Sequence, residues 1–172
     1  MIGCVDVQYT SGIATTALVV FDHWQSSSPK DTFLHEGPCD ADYEPGNFYK
    51  RELPCILAAL QAADVVPRTI LVDGYVWLDG NNDSPRAGLG AHLFDAYDQS
   101  IAVIGVAKSR FQSSNAQEVL RGRSTRPLFI TAAGIDPVTA ANHVRDMHGE
   151  SRIPTMIKLA DKLARSKNLI SS

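Results

Sequence analysis

IGCVDVQYTSGIATTALVVF, residues 2–21, decides the fold class. Two β-rich runs, 2–9 and 13–21, flank Thr-Ser-Gly, the chemistry of a tight hairpin, so the sheet is expected to begin antiparallel. Beyond it, a polar connection over 22–42 leaves room for one short strand around 32–35. Ile56, Leu57, Leu60 and Ala63 then keep a helical period, with Pro54 either opening that helix or kinking a longer one that begins near Gly46. TILVDG, 69–74, is a short run of consecutive apolar residues ending in Asp-Gly, as in a strand covered on both faces.

The rest of the chain alternates. Residues 75–90 read as a loop, GAHLFDAYD (90–98) as a short helix, IAVIGVAK (101–108) as a second buried strand and RPLFITAAG (126–134) as a third. Helices between such strands imply parallel neighbours. Asp136-Pro137 pairs an N-cap with a first-turn proline, starting a helix that Gly149 stops. A last helix over about 154–167 sets Met156, Leu159 and Leu163 on one side and basic residues on the other. The expected fold class is α/β, a mixed sheet with a hairpin start and then parallel strands, flanked by helices.

With 172 residues, 44% of them apolar, the chain suits one domain, 1–172. Its start carries Asp6 and neither a basic region nor a long apolar run, so no signal peptide or membrane span is expected and the cytoplasm is the expected location. Cys4, Cys39 and Cys55 lack metal-site or redox spacing and read as reduced thiols. A net charge of −3 argues against wholesale nucleic-acid coating. It hides a split: residues 1–104 hold 5 Lys/Arg against 14 Asp/Glu, whereas 105–172 hold 11 against 5. An acidic half can gather a divalent cation while a basic half holds a polyanion; two ordinary solvated faces give the same count.

Three acids stand out. Asp6 lies mid-strand among Cys4, Val5 and Val7, where an uncompensated carboxylate is costly to desolvate. Asp73 ends the TILVDG strand, at the sheet edge where α/β proteins bind ligands, and Glu52 precedes the long helix. Carboxylates without soft ligands suit Mg²⁺ or Mn²⁺. Lys108, closing IAVIGVAK, brings an ammonium to the same edge, able to offset charge on a phosphate oxygen. GVAKS lacks the phosphate-loop spacing, which excludes a P-loop nucleotide triphosphatase. Each residue also has a plain alternative: a buried ion pair for Asp6, a turn for Asp73-Gly74, a solvated helix start for Glu52 and a surface lysine for Lys108.

Read in order, VDVQY, YEPGNFYKRELP (43–54), LVDG, IGVAKSR, RPLFIT and RIPTMIKLADKLA resemble endonuclease V over nearly the whole chain. The most specific stretch keeps Tyr43, Pro45, Gly46, Arg51, Glu52 and Pro54 in the family's spacing. The resemblance implies an RNase H-like fold and Mg²⁺-dependent cutting of the second phosphodiester 3′ to deoxyinosine in DNA, or to inosine in RNA, by a monomer. It makes Asp6, Glu52 and Asp73 the metal acids and Lys108 the catalytic lysine. Tyr43, Glu44, Pro45, Gly46 and Phe48 become a wedge entering beside the lesion, and Gly46 and Gly74 line the pocket for the flipped base.

Two departures from the family follow. Tyr75 and Val76 stand where members have His-Gly, with Asp79 near a second histidine, so a side chain at Val76 is expected to reshape the base pocket. After LFIT, Asp136 replaces a Gly-His and is either a substitute metal ligand or an N-cap. Arg51, Arg121 and Arg123 are candidates for holding backbone phosphates. Trp77 is a stacking platform or core. Two other readings remain open: an endonuclease V-like nuclease with a different lesion or an RNA target, and a non-catalytic nucleic-acid-binding relative.

Overall fold

The computed structural model describes residues 1–38, 49–79, 85–111 and 114–166. β1 (Ile2–Thr10) and β2 (Ile13–Phe21) pair antiparallel from Thr10↔Ile13 to Ile2↔Phe21. Ser11 and Gly12, with φ of 50° and 81°, make the two-residue turn whose twist matches the strands, and glycine removes half of its steric cost. β3 (Asp31–Pro38) adds antiparallel to β2. α1 (Tyr49–Ala63) contains Pro54, so the longer of the two expected helices is the one that forms. β4 (Thr69–Asp73) lies parallel to β1, and after α2 (Leu89–Ala96) β5 (Ala102–Ala107) lies parallel to β4. β6 (Gln117–Val119), β7 (Leu128–Ala133), α3 (Pro137–Asp146) and α4 (Thr155–Arg165) complete the order. The sheet runs β3-β2-β1-β4-β5-β7-β6.

One expectation is corrected. β7 runs antiparallel to β5, with Val103 opposite Ala133 and Ala107 opposite Phe129. A parallel neighbour needs a crossover, usually a helix, and among the described residues the β5–β7 connection supplies only β6, a short strand the sequence reading did not foresee. The chain turns back along the edge, and the two ends of β7 exchange places relative to the expectation.

Period-2 alternation divides the strands between two cores. Cys4, Val19, Phe21, Leu71, Ile104, Val106 and Ile130 meet α3 and α4 on one face through Ala140, Val144, Met156 and Ala160. Val5, Leu18, Val20, Ile70, Val72 and Val103 meet α1 and α2 on the other through Ile56, Leu60, Leu89 and Leu93. Burial on both faces is why TILVD reads as uninterrupted apolar sequence.

Candidate active site

The register brings the acids together. Val5 pairs with Val72 across the parallel β1–β4 ladder, so Asp6 and Asp73 are the next residues along adjacent strands. Asp6 shares a face with Cys4, Asp73 with Leu71 and Lys108 with Val106, all on the α3–α4 side. Beyond the end of that core they line a cavity of about 230 Å³ closed by Ile153, Ile157, Lys158, Asp161 and Arg165. Lys108 Nζ donates to Asp73 Oδ2 at 2.6 Å, and Arg165 Nε to Asp161 Oδ1 at 2.9 Å.

Burial and neighbouring charge shift the acids and the lysine of the cavity. Burial, then the carboxylates of Asp161 and Asp73, pushes Asp6 up to about 7 against the opposing pull of Lys108 and Arg165. Glu52, buried on α1, is pushed up to about 8 by burial and then by Asp6 and Asp73. Burial lowers the Lys108 ammonium, but its hydrogen bond to Asp73 and the charges of Asp73, Asp6 and Asp161 outweigh that and raise it. Among the described residues no three His, Cys, Asp or Glu side chains are spaced to hold one metal ion, and basic partners engage Asp73 and Asp161. The donors are nonetheless all carboxylate oxygen, the hard ligand type that a divalent cation takes, and burial first and neighbouring acids second disfavour leaving their charge uncompensated. The residues therefore fit Mg²⁺ or Mn²⁺.

A second cavity, of about 160 Å³, adjoins Asp73 and is lined by Tyr49, Gly74, Tyr75, Leu78, Gly88 and Leu89. Gly74 has φ of 118°, where any side chain strains the backbone, so its place in the wall stays bare. The Tyr49 ring stacks on His92 with centroids 3.7 Å apart, which fixes the ring in that wall.

The family model for endonuclease V matches residues 1–162. The chain belongs to the endonuclease V family. Endonuclease V of Nostoc punctiforme is 31% identical over 158 residues, covering 80% of this chain and 69% of that protein. The Streptomyces avermitilis relative is 31% identical over 150 residues, covering 75% and 63%. This chain thus spans about two thirds of the length of these curated relatives. Among solved structures, Ciona intestinalis endonuclease V in complex with a 24-mer DNA containing an inosine followed by a ribo-adenosine superposes with a TM-score of 0.81 at 20% identity, covering 99% of this chain and 87% of that one. Human endonuclease V gives 0.75 at 23% identity, covering 99% and 84%. At those identities the likeness establishes the RNase H-like fold, as expected from the sequence.

Against this endonuclease V frame, the sequence-predicted residues divide. Asp6, Asp73 and Lys108 converge as expected, and Glu52 is buried within electrostatic reach of them but does not line their cavity. Asp136 does not join them. Because β7 is antiparallel, its C-terminal end lies beside the start of β5, at the opposite sheet edge from Lys108. There Asp136 caps α3, accepting from Thr139 N at 2.8 Å and Thr139 Oγ1 at 2.9 Å.

Arg121 is corrected as well. It is buried, and its guanidinium donates to the carbonyls of Arg145, Met147, Gly149, Ser151 and Arg152, which leaves it structural and not phosphate-facing. Arg123 is exposed, and Arg51 lies over the Tyr9 ring at 3.8 Å. Val76 is fully buried among Leu89 and Leu93, with its N–H donating to Thr131 Oγ1, so it shapes the core and not the base pocket. Trp77 likewise packs on the core and donates to Ala132 O at 3.0 Å. Tyr43, Glu44, Pro45, Gly46 and Phe48 lie outside the described residues.

Asp161 is the acid that sequence reasoning missed. It is an acid among Lys158, Lys162 and Arg165 on α4, one turn from Ile157 and beside buried Ala160. That border position was the available signal; which neighbour it faces is set by packing alone. Among the described residues no helix is long and apolar enough to cross a membrane.

Proposed function

We propose that this chain is a metal-dependent endonuclease of DNA repair that cuts the second phosphodiester 3′ to deoxyinosine in DNA, or to inosine in RNA, acting as a single-domain monomer in the cytoplasm. The observation that carries the reading is the convergence of Asp6, Asp73, Lys108 and Asp161 on one cavity. Asp6, Asp73 and Asp161, with Glu52 nearby, are the residues that would hold Mg²⁺, or Mn²⁺ in its place. When bound, the ion supplies Lewis acidity to the scissile phosphate and to an attacking water. Lys108, held against Asp73, offers its ammonium to the charge that builds on phosphate oxygens. Lys158 and Arg165, on the α4 face that lines the cavity, hold the strand by its phosphates, joined by Arg51 and Arg123 at the periphery. The cavity beside Gly74 receives the flipped base, whose place in the stack is filled by the wedge of Tyr43, Glu44, Pro45, Gly46 and Phe48.

End-labelled duplexes carrying one deoxyinosine, RNA carrying one inosine, and undamaged controls test this with Mg²⁺, Mn²⁺ or EDTA. Metal-dependent nicking one nucleotide beyond the lesion, abolished in Asp6→Ala, is the expected result. Tight binding without nicking under any metal would make the chain a reader and refute the catalytic assignment.

A further inference from the structure

Lys108 follows the last residue of β5, and the β5–β7 ladder ends at Ala107↔Phe129. Continuing it would set Lys108 opposite Leu128 and Ser109 opposite Pro127, which has no N–H to give. The ladder thus stops one residue before Lys108. Arg152 reaches the backbone just past that point. Its Nη2 donates both to the Lys108 carbonyl and to Pro127 O, the latter at 2.7 Å, joining the end of β5 to the start of β7. The same guanidinium leaves its buried Nε without a hydrogen-bond partner among the described residues, so the group is oriented for Nη2 to reach the two carbonyls and not for its own full satisfaction.

The staple is itself anchored. Arg121 Nη1 donates to Ser151 O at 2.8 Å and reaches Arg152 O at 3.4 Å, fixing the segment from which Arg152 projects and which leads directly into α4. One short stretch thus ties the backbone of Lys108 to the helix bearing Asp161. A strand end free to fray would carry the Lys108 ammonium away from Asp73, 2.6 Å from it here.

We propose that Arg152 is a positioning residue for Lys108, its guanidinium tying the Lys108 carbonyl at the end of β5 to the Pro127 carbonyl at the start of β7; the catalytic part of this inference rests on the nuclease reading above. The test is a double-mutant cycle on the intact chain, reading kcat and KM for deoxyinosine nicking in wild type, Arg152→Ala, Lys108→Ala and the pair, with Arg152→Lys added. Arg152→Ala is expected to lower kcat by about 10- to 100-fold with KM changed less than about 3-fold, as for a displaced catalytic group. Arg152→Lys, whose ammonium can donate to both carbonyls but sits on a shorter side chain without the planar guanidinium, is expected to recover part of that loss. In the Lys108→Ala background, removing Arg152 is expected to cost almost nothing further. Losses that multiply across the pair would overturn the proposal.

An arm independent of activity follows the methyl resonance of ¹³C-dimethylated Lys108, assigned by its disappearance in Lys108→Arg. It is expected to move in Arg152→Ala while resonances of distant lysines stay in place. A Lys108 resonance unmoved in a folded Arg152→Ala protein overturns the proposal even if wild type proves to nick nothing, an outcome that would count against the nuclease reading alone.

Discussion

The two ends of the sheet hold the same kinds of residue and do different things with them. At the end formed by β1, β4 and β5, parallel pairing sets Asp6 and Asp73 side by side, and Lys108 and Asp161 close around them. At the other end Asp136 satisfies its carboxylate locally, on Thr139 of its own helix. Strand direction makes the difference. Parallel neighbours deliver their C-terminal ends to one edge, where Asp6, Asp73 and Asp161 meet Lys108 and Arg165; the antiparallel β7 carries its acid to the far edge, where it caps a helix start.

The comparison can be broken by removing one acid at a time. Asp6→Asn or Asp73→Asn is expected to reduce nicking about 10³-fold or more, while Asp136→Asn leaves kcat unchanged; initial rates on a deoxyinosine duplex decide. Equal losses at both ends would mean that the far edge takes part. Asp161→Asn comes next, with an expected loss of about 10²-fold and a weaker Mn²⁺ affinity by calorimetry. An Asp161→Asn protein with wild-type Mn²⁺ binding would remove α4 from the site.

Burial, with neighbouring acids second, also gives the two ends opposite pH behaviour. Asp6 and Glu52 start from 3.8 and 4.5 and are pushed up to about 7 and about 8 in the fold. Between those limits the native state binds more protons than the unfolded chain, so the metal-free protein loses stability as pH rises from about 4 towards 8. Thermal melts in EDTA should show the decline, Mn²⁺ should reverse most of it at pH 8, and Asp6→Asn should flatten it. At the far edge Asp136 is held below its ordinary value by the Thr139 amide and hydroxyl, so its contribution is present above the usual carboxylate range and fades on acidification. Asp136→Ala is the smallest expected effect, a Tm lower by about 2–4 °C at neutral pH with activity intact.

How much of this was legible depended on the range of the interactions. The hairpin was readable because its turn chemistry is local, Asp73 and Lys108 because strand ends lie at an edge, and Asp6 because a carboxylate among apolar mid-strand neighbours is costly to bury. Asp161 was not, since an acid on an amphipathic helix meets other acids only through packing of α4 on the sheet. Arg121 reads from sequence as a candidate phosphate contact, and nothing in the sequence singles out Arg152. Each is instead consumed by carbonyl oxygens of irregular backbone, a demand that no periodicity announces. The direction of β7 failed for a similar reason: short β6 leaves almost no apolar pattern to read.

The central claim is that one sheet edge, and not the other, is the metal centre. Anomalous diffraction from crystals soaked in Mn²⁺ measures this directly. The account predicts a peak among the carboxylates of Asp6, Asp73 and Asp161, with Arg165 turned away from Asp161 to admit it. A peak at Asp136, or none at the Asp6–Asp73 edge in crystals of a protein that nicks with Mn²⁺, would contradict it.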